Sequence, residues 1–594
     1  MTRVLGISCD YHDAAACLVE DGEIVAAAQE ERFTRIKHDA AFPRRAIAYC
    51  LAEAGDGALS AVAFYEKPLL KLHRILETSL GTAPRGLGVF TRAVPAWLRD
   101  KLWIEAKIER ALRELGVTGD PPISYPEHHF SHAASAFFPS PFDSATVVTV
   151  DGVGEWATAT IGIGEGRSLR LLEQIEFPHS LGLLYSAFTH FCGFEINDGE
   201  YELMGLAPYG EPRHAETILE HLLELAPDGS FRLHTERFGY LDGLEMTNSR
   251  FAELFGGDRR RRGDPITRRE MDLAASIQAV TEEVILAVAR HACEVTGQRR
   301  LCLAGGVALN CVANGRLLRS GIVDDLWVQP AAGDAGGALG AALAVWHGPL
   351  ESPRTVDGVH DAMAGALLGP EFSDGQVRDF LDARGRSYET LEDDVEWAKR
   401  VAGLVSGGAI VGLFQGRMEL GPRALGNRSI VADARSPDVQ SRLNDAVKQR
   451  EGFRPFAPSV LADRADDYFE LGRPSPYMLL VAPVRAERRR PVDDQPGASL
   501  EARARAVRSE VPAVTHVDGS ARVQTVSAEV NPRYHALISA FDSLTGCPML
   551  LNTSFNVAGE PIVCTPEDAV RCFDRAGLDA LSLGPFLLLR RARS

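Results

Sequence analysis

No two cysteines in the chain form a CxxC motif. The ten present (Cys9, Cys17, Cys50, Cys192, Cys293, Cys302, Cys311, Cys547, Cys564 and Cys572) are scattered and mostly sit in apolar runs. They read as reduced core thiols of a cytoplasmic protein. An excess of basic charge is also missing. The 63 Lys and Arg against 81 Asp and Glu leave a net charge of −18, which argues against a nucleic-acid partner. Long apolar runs are missing too. The most apolar helical stretch, Gly336 to Trp346, falls far short of the ~20 residues a membrane span needs. The N-terminus runs straight into Val4-Leu5-Gly6-Ile7, with neither the basic segment nor the separate apolar segment of a signal peptide. The expectation is a soluble monomer or homodimer with no membrane partner.

The 594 residues allow roughly three or four domains of ordinary size, or two if large α/β units are present. Within them stands Glu127-His128-His129-Phe130-Ser131-His132. On a helix, the i,i+4 spacing of His128 and His132 brings two imidazoles to one face. Asp151, in Thr149-Val150-Asp151-Gly152, ends an apolar run and offers a carboxylate at a strand end. Such a set suits iron, manganese or zinc, and ligand type alone does not choose among them. Taken alone, an HxxxH pair is more often two ordinary histidines.

Two stretches share one plan. Val4 to Cys9, Ala14 to Val19, an Asp21-Gly22 turn and Ile24 to Ala28 read as strand, strand, hairpin, strand. Thr146 to Asp151, Trp156 to Ile163, Gly164-Glu165-Gly166 and Leu169 to Phe177 repeat it, which implies an internal duplication. A doubled hairpin of this kind resembles the two-lobed actin/hexokinase-like (ASKHA) fold. Leu301 to Ala304 then gives a strand, Gly305-Gly306 a turn and Val307 to Asn310 a helix start, where backbone approaches a ligand closely and a helix N-terminus favours an anion. Gln329 to Gly340 reads as a strand end feeding a small-residue helix. Asp334 there either N-caps that helix, the favoured reading, or binds metal. Residues 46 to 115 read as amphipathic helices broken between Gly81 and Pro95. Arg259-Arg260-Arg261-Arg262 reads as a solvated loop.

A Gly/Pro-containing linker from Gly348 to Gly358 separates a second α/β unit. Ala409 to Phe414 reads as a strand leading into Gln415-Gly416-Arg417-Met418-Glu419-Leu420-Gly421-Pro422-Arg423-Ala424-Leu425-Gly426-Asn427-Arg428-Ser429. Glycines expose backbone N–H groups and arginines offer bidentate forks, so the loop is expected to receive an anion. Lys448-Gln449-Arg450-Glu451-Gly452-Phe453-Arg454 adds three cations among aromatic and glycine residues. Residues 484 to 510, containing Gln495-Pro496-Gly497, read as a mobile excursion. Leu550 to Val563 is a buried strand breaking into polar residues, the usual place for a ligand in an open α/β sheet.

Together these motifs resemble the NodU/CmcH family of O-carbamoyltransferases. The resemblance rests on Tyr11-His12-Asp13-Ala14-Ala15, Glu30-Glu31-Arg32-Phe33-Thr34-Arg35-Ile36-Lys37-His38, the histidine segment, and Ser180-Leu181-Gly182-Leu183-Leu184-Tyr185-Ser186. It also rests on Gly199 to Gly210, the Gly-Gly-Val-Ala-Leu-Asn turn, the Gly416 to Ser429 loop and Leu551 to Val563. It implies an α/β chain with a duplicated actin-like, threonylcarbamoyl-transfer-type domain over 1–350, in lobes of about 1–140 and 141–350, followed by a YrdC-like domain over 359–594. The second domain is expected to make carbamoyl-adenylate from carbamoyl phosphate and ATP with its magnesium, and the first to pass the carbamoyl group to a hydroxyl of a small-molecule natural product.

The resemblance implies His128, His132, Asp151 and Asp334 as metal ligands, with iron as the natural candidate, and Gly305, Gly306 and Asn310 against the adenylate. His12 matches the family's general base, and an unperturbed pKa of ~6.5 suits it to that role. A purely structural His12 bonded to Asp10 or Asp13 is the alternative. Arg423, Lys448, Arg454 and Arg522, with Arg428 nearby, match the cations around carbamoyl phosphate and ATP, and Asn552 and Ser554 would complete that pocket. Many relatives carry a basic residue where Ala558 stands. Two rival readings are a threonylcarbamoyl transferase acting on tRNA, disfavoured by the charge, and a non-catalytic actin-like scaffold.

Overall fold

The computed structural model describes residues 1–55, 57–492 and 498–590. It divides into two compact units, Met1–Glu30 with Asp39–Ala362, and Glu31–His38 with Met363–Ser594.

The first unit is built on two sheets of one design. In one, β1 (Arg3–Ser8), β2 (Ala15–Glu20) and β3 (Glu23–Gln29) run as antiparallel neighbours, while β4 (Ala61–Phe64) and β5 (Ile123–Ser124) add parallel strands on the other side of β1. In the other, β6 (Ser144–Val150), β7 (Ala157–Glu165) and β8 (Ser168–Glu176) form the antiparallel set. After a small hairpin of β9 (Leu223–Leu225) and β10 (Phe231–Leu233), β11 (Arg300–Ala304) and β12 (Asp325–Val328) extend that sheet from β6 in parallel. The orders β3-β2-β1-β4-β5 and β8-β7-β6-β11-β12 correspond strand for strand. This is the duplicated actin/hexokinase-like arrangement that the hairpins imply. The inner strands are continuous buried runs such as Val147, Val148 and Val150, as sheets covered on both faces require.

The interval 46–115 departs from its helical reading. Helices Arg44–Ala54, Pro68–Gly81 and Ile104–Glu114 are present, but Ala61–Phe64 is a strand between β1 and β5 in the first sheet. Four consecutive buried residues carry no alternation, so neither the period of 2 nor that of 3.6 marks them. The helix Leu87–Ala96 also occupies much of the interval read as a break.

The arginine run departs as well. Arg260 is buried, its Nε donating to the Cys192 carbonyl at 2.6 Å and its Nη1 to the Asp264 carbonyl at 2.5 Å, with the guanidinium 5.2 Å from the Phe194 ring. Arg259, Arg261 and Arg262 are exposed. A charge run thus hides one structural strut.

The second unit is a nine-stranded mixed sheet. Its strands are β13 (Glu389–Thr390), β14 (Val411–Phe414), β15 (Arg428–Ala432), β16 (Ala457–Leu461), β17 (Leu480–Pro483), β18 (Ser520–Val526), β19 (Met549–Ser554), β20 (Ala580–Leu583) and β21 (Phe586–Leu589), in spatial order β13-β21-β20-β14-β15-β19-β16-β18-β17. Residues 31–38 belong to this unit. Arg35 donates to the carbonyls of Ile562 and Pro561, each at 2.6 Å, Arg32 to that of Gly421 at 2.8 Å, and Phe33 packs on Met418, Ala424, Ile562 and Cys564. Of the 484 to 510 excursion, residues 493–497 lie outside the described residues, Gln495-Pro496-Gly497 among them. Its flanks meet through Arg488 Nη1 and Glu510 Oε2 at 2.8 Å and through the Arg490 N–H and Arg508 carbonyl at 2.7 Å. Among the described residues, no helix is long and apolar enough to cross a membrane.

Candidate functional site

In the first unit, the helix His128–Phe137 is buried along almost its whole length. Its start has no side-chain cap from Glu127; instead Glu155, in the loop after β6, accepts the His128 backbone N–H with both oxygens at 3.1 Å. The same carboxylate accepts the Lys67 N–H at 2.7 Å, at the head of the helix Pro68–Gly81. Sequence reasoning left Glu155 without a role, because a carboxylate that satisfies two helix starts acts across the fold.

His128 and His132 point one turn apart with Nε2 atoms 3.0 Å from each other. Asp151 Oδ2 lies 3.1 Å from His128 Nε2 and 3.7 Å from His132 Nε2. The other oxygen, Oδ1, is held by the Gly306 N–H at 2.8 Å, which turns Oδ2 toward the imidazoles. Gly305 makes this possible. It sits at φ 90°, and a Cβ there would stand 2.3 Å from the Val150 carbonyl oxygen. Asp334 Oδ1 closes the group at 3.7 Å from His128 Nε2 and 3.6 Å from His132 Nε2.

The capping reading of Asp334 is overturned. The helix Asp334–His347 starts with Gly333 in the cap position, and no side-chain cap hydrogen bond is made. Asp334 is 1% exposed, its Oδ2 has no hydrogen-bond partner, and its Oδ1 faces the histidines. The helix is made of small residues so that it approaches closely. A Cβ on Gly340 would stand 1.7 Å from the Ser131 carbonyl oxygen, on the histidine helix itself.

These four side chains offer ligand atoms all within 4.8 Å of one another. Metal bonds of about 2.1 Å at octahedral or tetrahedral angles put neighbouring donors about 3.0 to 3.4 Å apart, so the set fits a divalent cation with little adjustment. Electrostatics agree. Burial lowers the pKa of His132, but Asp151 and Asp334 outweigh it and bring it up to about 9. Burial would raise Asp151 and Asp334, yet neighbouring histidines hold both below the usual carboxylate range. The centre prefers positive charge. His129 is different: burial, then His128 and His132, push its pKa well down, and its Nδ1 pairs with Thr149 Oγ1 at 2.6 Å.

His12 lies beside this group, Nε2 3.9 Å from Asp334 Oδ2 and Nδ1 3.1 Å from Asp13 Oδ2. Burial lowers its pKa, but Asp334 and Asp13 outweigh that and carry it up to about 9. This corrects the expectation of an unperturbed imidazole. Asn310 is placed as a cap: its Oδ1 accepts the Ala313 N–H at 3.1 Å, and its amide pairs with Gln278 in both directions at 3.0 and 3.1 Å. Of the three residues expected against an adenylate, Gly305 and Gly306 border Asp151, whereas the Asn310 side chain is already engaged.

In the second unit, the Gly416 to Ser429 loop is organised differently from the sequence reading. Glu419 Oε1 accepts the backbone N–H groups of Leu425, Asn427 and Arg428 at 2.7, 2.8 and 3.2 Å. The loop's anion receptor thus holds the protein's own carboxylate. Arg428 is likewise consumed. It is fully buried over the Phe414 ring at 3.8 Å, and its guanidinium donates to the carbonyls of Gln415, Asn427, Pro370 and Gly416 between 2.7 and 3.1 Å. Its expected contact with phosphate gives way to that of a strut.

The other four expected cations stand in different surroundings. Lys448 is 4% exposed, and its Nζ donates to the Ser554 carbonyl at 2.5 Å, Asn556 Oδ1 at 2.7 Å, the Asn556 carbonyl at 3.1 Å and Ser554 Oγ at 3.2 Å. None of these is a carboxylate. Burial, then Arg450, pushes its pKa well down, and Arg454 adds to the effect. Arg423 is half-buried, Arg454 is buried, and Arg522, half-buried on β18, has its Nε shut from solvent without a hydrogen bond. Asn552 is buried and donates to the Ala424 carbonyl, Ser459 Oγ and Gln524 Oε1, each at 3.0 Å, so it holds the loop beside Arg423. Ser554 Oγ donates to Asn556 Oδ1 at 2.7 Å and thereby joins the lysine cradle. Asn556 itself was not singled out, since its role depends on a lysine 108 positions away.

Residues 3–343 match the model of the carbamoyltransferase N-terminus, and residues 402–590 that of the carbamoyltransferase C-terminus. The chain belongs to the carbamoyltransferase family. It is 56% identical to an uncharacterized protein of Synechocystis sp. over 603 aligned residues, covering 100% of this chain and 97% of that one. It is 42% identical to the nodulation protein NolNO of Sinorhizobium fredii, covering 98% of this chain and 80% of that one. Among solved structures, HypF of T. kodakarensis aligns with a TM-score of 0.30 at 15% identity over 58% of this chain and 47% of that one, a likeness too slight to support any argument. As a carbamoyltransferase, the chain has a group-transfer reaction to account for with these two sets of side chains.

Proposed function

We propose that this carbamoyltransferase works in two half-reactions, one in each unit. In the second unit, water cleaves carbamoyl phosphate to carbamate and inorganic phosphate, and the carbamate oxygen attacks the α-phosphorus of ATP. Pyrophosphate leaves and carbamoyl-adenylate forms. Lys448, Arg423, Arg454 and Arg522 bind the phosphates and stabilise the negative charge that builds up as each leaving group departs. The observation that carries this half is Lys448, a buried amine ringed by carbonyl, amide and hydroxyl oxygens with no carboxylate beside it, so that an incoming anion supplies its counter-charge.

In the first unit, the acceptor is a hydroxylated small molecule. Its oxygen attacks the carbamoyl carbon, the bond from that carbon to the phosphate oxygen breaks, and AMP leaves. His12 takes the hydroxyl proton. To act as a base it must first be neutral, and a cation held by His128, His132, Asp151 and Asp334 would lower its pKa by offsetting Asp334 and Asp151. A divalent metal held by this set, with iron the proposed occupant, would supply Lewis acidity toward the carbonyl or phosphate oxygens. Gly305 and Gly306 let backbone approach the ligand from the β11 side.

The test is product analysis. Protein incubated with carbamoyl phosphate, ATP and hydroxylated natural products should yield AMP, pyrophosphate and an acceptor heavier by one carbamoyl group. Formation of ADP in place of AMP would sink the adenylate route.

A further inference from the structure

The helix Pro68–Gly81 is turned inside out. Leu69 and Leu80 are 67% and 77% exposed, whereas Lys71 and Arg74 are only 5% and 8% exposed. An amphipathic helix ordinarily does the reverse. The two cations sit at i,i+3 on one inward face, and they are not alike. Lys71 Nζ is paired with Glu66 Oε2 at 2.5 Å and lies 5.2 Å from the centre of the Tyr11 ring. Arg74 lies over the Phe177 ring at 4.9 Å and, among the described residues, makes neither a hydrogen bond nor an ion pair; its Nη1 is closed off from solvent. Burial draws its pKa down to about 10, with Tyr11, Glu66 and Glu155 opposing, so it stays a cation at neutral pH.

Lys71, one turn away on the same face, links this side of the helix to the metal-type cluster through Tyr11 and Glu66. Tyr11 packs on His12 with ring centres 4.7 Å apart, and His12 Nε2 is 3.9 Å from Asp334 Oδ2. Glu66 Oε2 is 3.9 Å from His128 Nδ1. A buried guanidinium with no counter-ion is costly to keep, and its planar fork matches the paired oxygens of a phosphate ester.

We propose that Arg74 is the phosphate-binding residue of the first unit and takes the phosphate of the adenylate beside the His128, His132, Asp151 and Asp334 cluster. The ligand class, a nucleoside 5′-phosphate or its acyl ester, rests on the two-half-reaction reading above. The exposed leucines of the helix follow from this assignment, since a helix rotated to bury its cations must turn its apolar residues outward.

The test is titration calorimetry of the full-length protein with AMP and with adenosine, in an Arg423→Ala background that weakens the second unit's phosphate site. Arg74→Ala should weaken AMP binding at least tenfold and leave adenosine binding unchanged, and Arg74→Lys should recover part of the loss. An unchanged AMP affinity overturns the proposal. So does an equal loss of AMP and adenosine, which would mark Arg74 as structural, or a failure of the Arg423→Ala protein to distinguish AMP from adenosine. Pyrophosphate release from ATP and carbamoyl phosphate, followed separately, reports on the proposed reaction. Its absence from the unmodified protein would defeat that reaction, while the AMP and adenosine comparison still decides the role of Arg74.

Discussion

His128 Nε2 and His132 Nε2 face each other at 3.0 Å, with Asp151 Oδ2 3.1 Å from the first. Two imidazole lone pairs do not share such a space without a proton or a cation between them. The helix turn is therefore committed to positive charge before any substrate arrives, and Asp334 at its back deepens the commitment.

Replacing His128 by Ala should remove bound metal and lower carbamoyl transfer at least about 100-fold, since even outer partners of ligands cost 10–100-fold when lost. Pyrophosphate release should persist. His129→Gln is the control, because His129 turns away to Thr149, and it should keep its metal. Elemental analysis with the two half-reaction assays checks both. Equal loss of the two half-reactions in His128→Ala would refute the division of labour.

Metal affinity should fall as the pH is lowered. The metal-free centre holds a proton on His132, whose pKa stands at about 9, and a cation must expel it. Each proton displaced weakens binding about tenfold per pH unit below that value. Chelator competition across neutral pH measures the slope, and a flat profile would contradict the arrangement.

Lys448 should couple phosphate binding to proton uptake. Burial, followed by Arg450, lowers its pKa well below that of a free lysine, and an anion set beside it favours the charged form. At pH values above the free-state pKa and below the bound-state one, carbamoyl phosphate binding therefore takes up a proton. Calorimetry in two buffers of different ionisation enthalpy should reveal the uptake, and Lys448→Met should abolish it. The same substitution should slow pyrophosphate formation by about 100-fold or more.

The legible parts of this chain were those whose signal is local. The two hairpins announce themselves through the Asp21-Gly22 and Gly164-Glu165-Gly166 turns between β-rich runs, and His128 and His132 meet because a helix brings positions four apart together. Local sequence leaves Asp334 between cap and ligand because a carboxylate at a helix start has two uses, and only the approach of Gly340 to Ser131 aims it at the imidazoles. Glu419 was invisible for the opposite reason. A glycine-rich loop looks like a phosphate cradle until one of its own acids is found accepting the N–H groups of Leu425, Asn427 and Arg428. The Ala61–Phe64 strand carries no period at all, and Glu155, Asn556 and Arg74 act through partners far away in sequence.

Gly305 gives a test of how tightly the turn governs the metal centre. Its φ of 90° is one that side chains with a Cβ rarely adopt, and the added Cβ would stand 2.3 Å from the Val150 carbonyl oxygen, the residue before Asp151. Strain in that region costs about 1 to 3 kcal/mol, and the close contact must be relieved by moving either β6 or the Gly306 N–H that holds Asp151 Oδ1. Gly305→Ala should therefore lower both thermal stability and metal content. Gly297 is the matched control. It too has positive φ, 68°, at the end of the helix Arg268–Thr296, but nothing lies within 4 Å of its added Cβ. Gly297→Ala should cost about 1 to 2 kcal/mol of stability and leave metal content intact. Full metal retention in Gly305→Ala would mean that Asp151 is positioned by β6 alone.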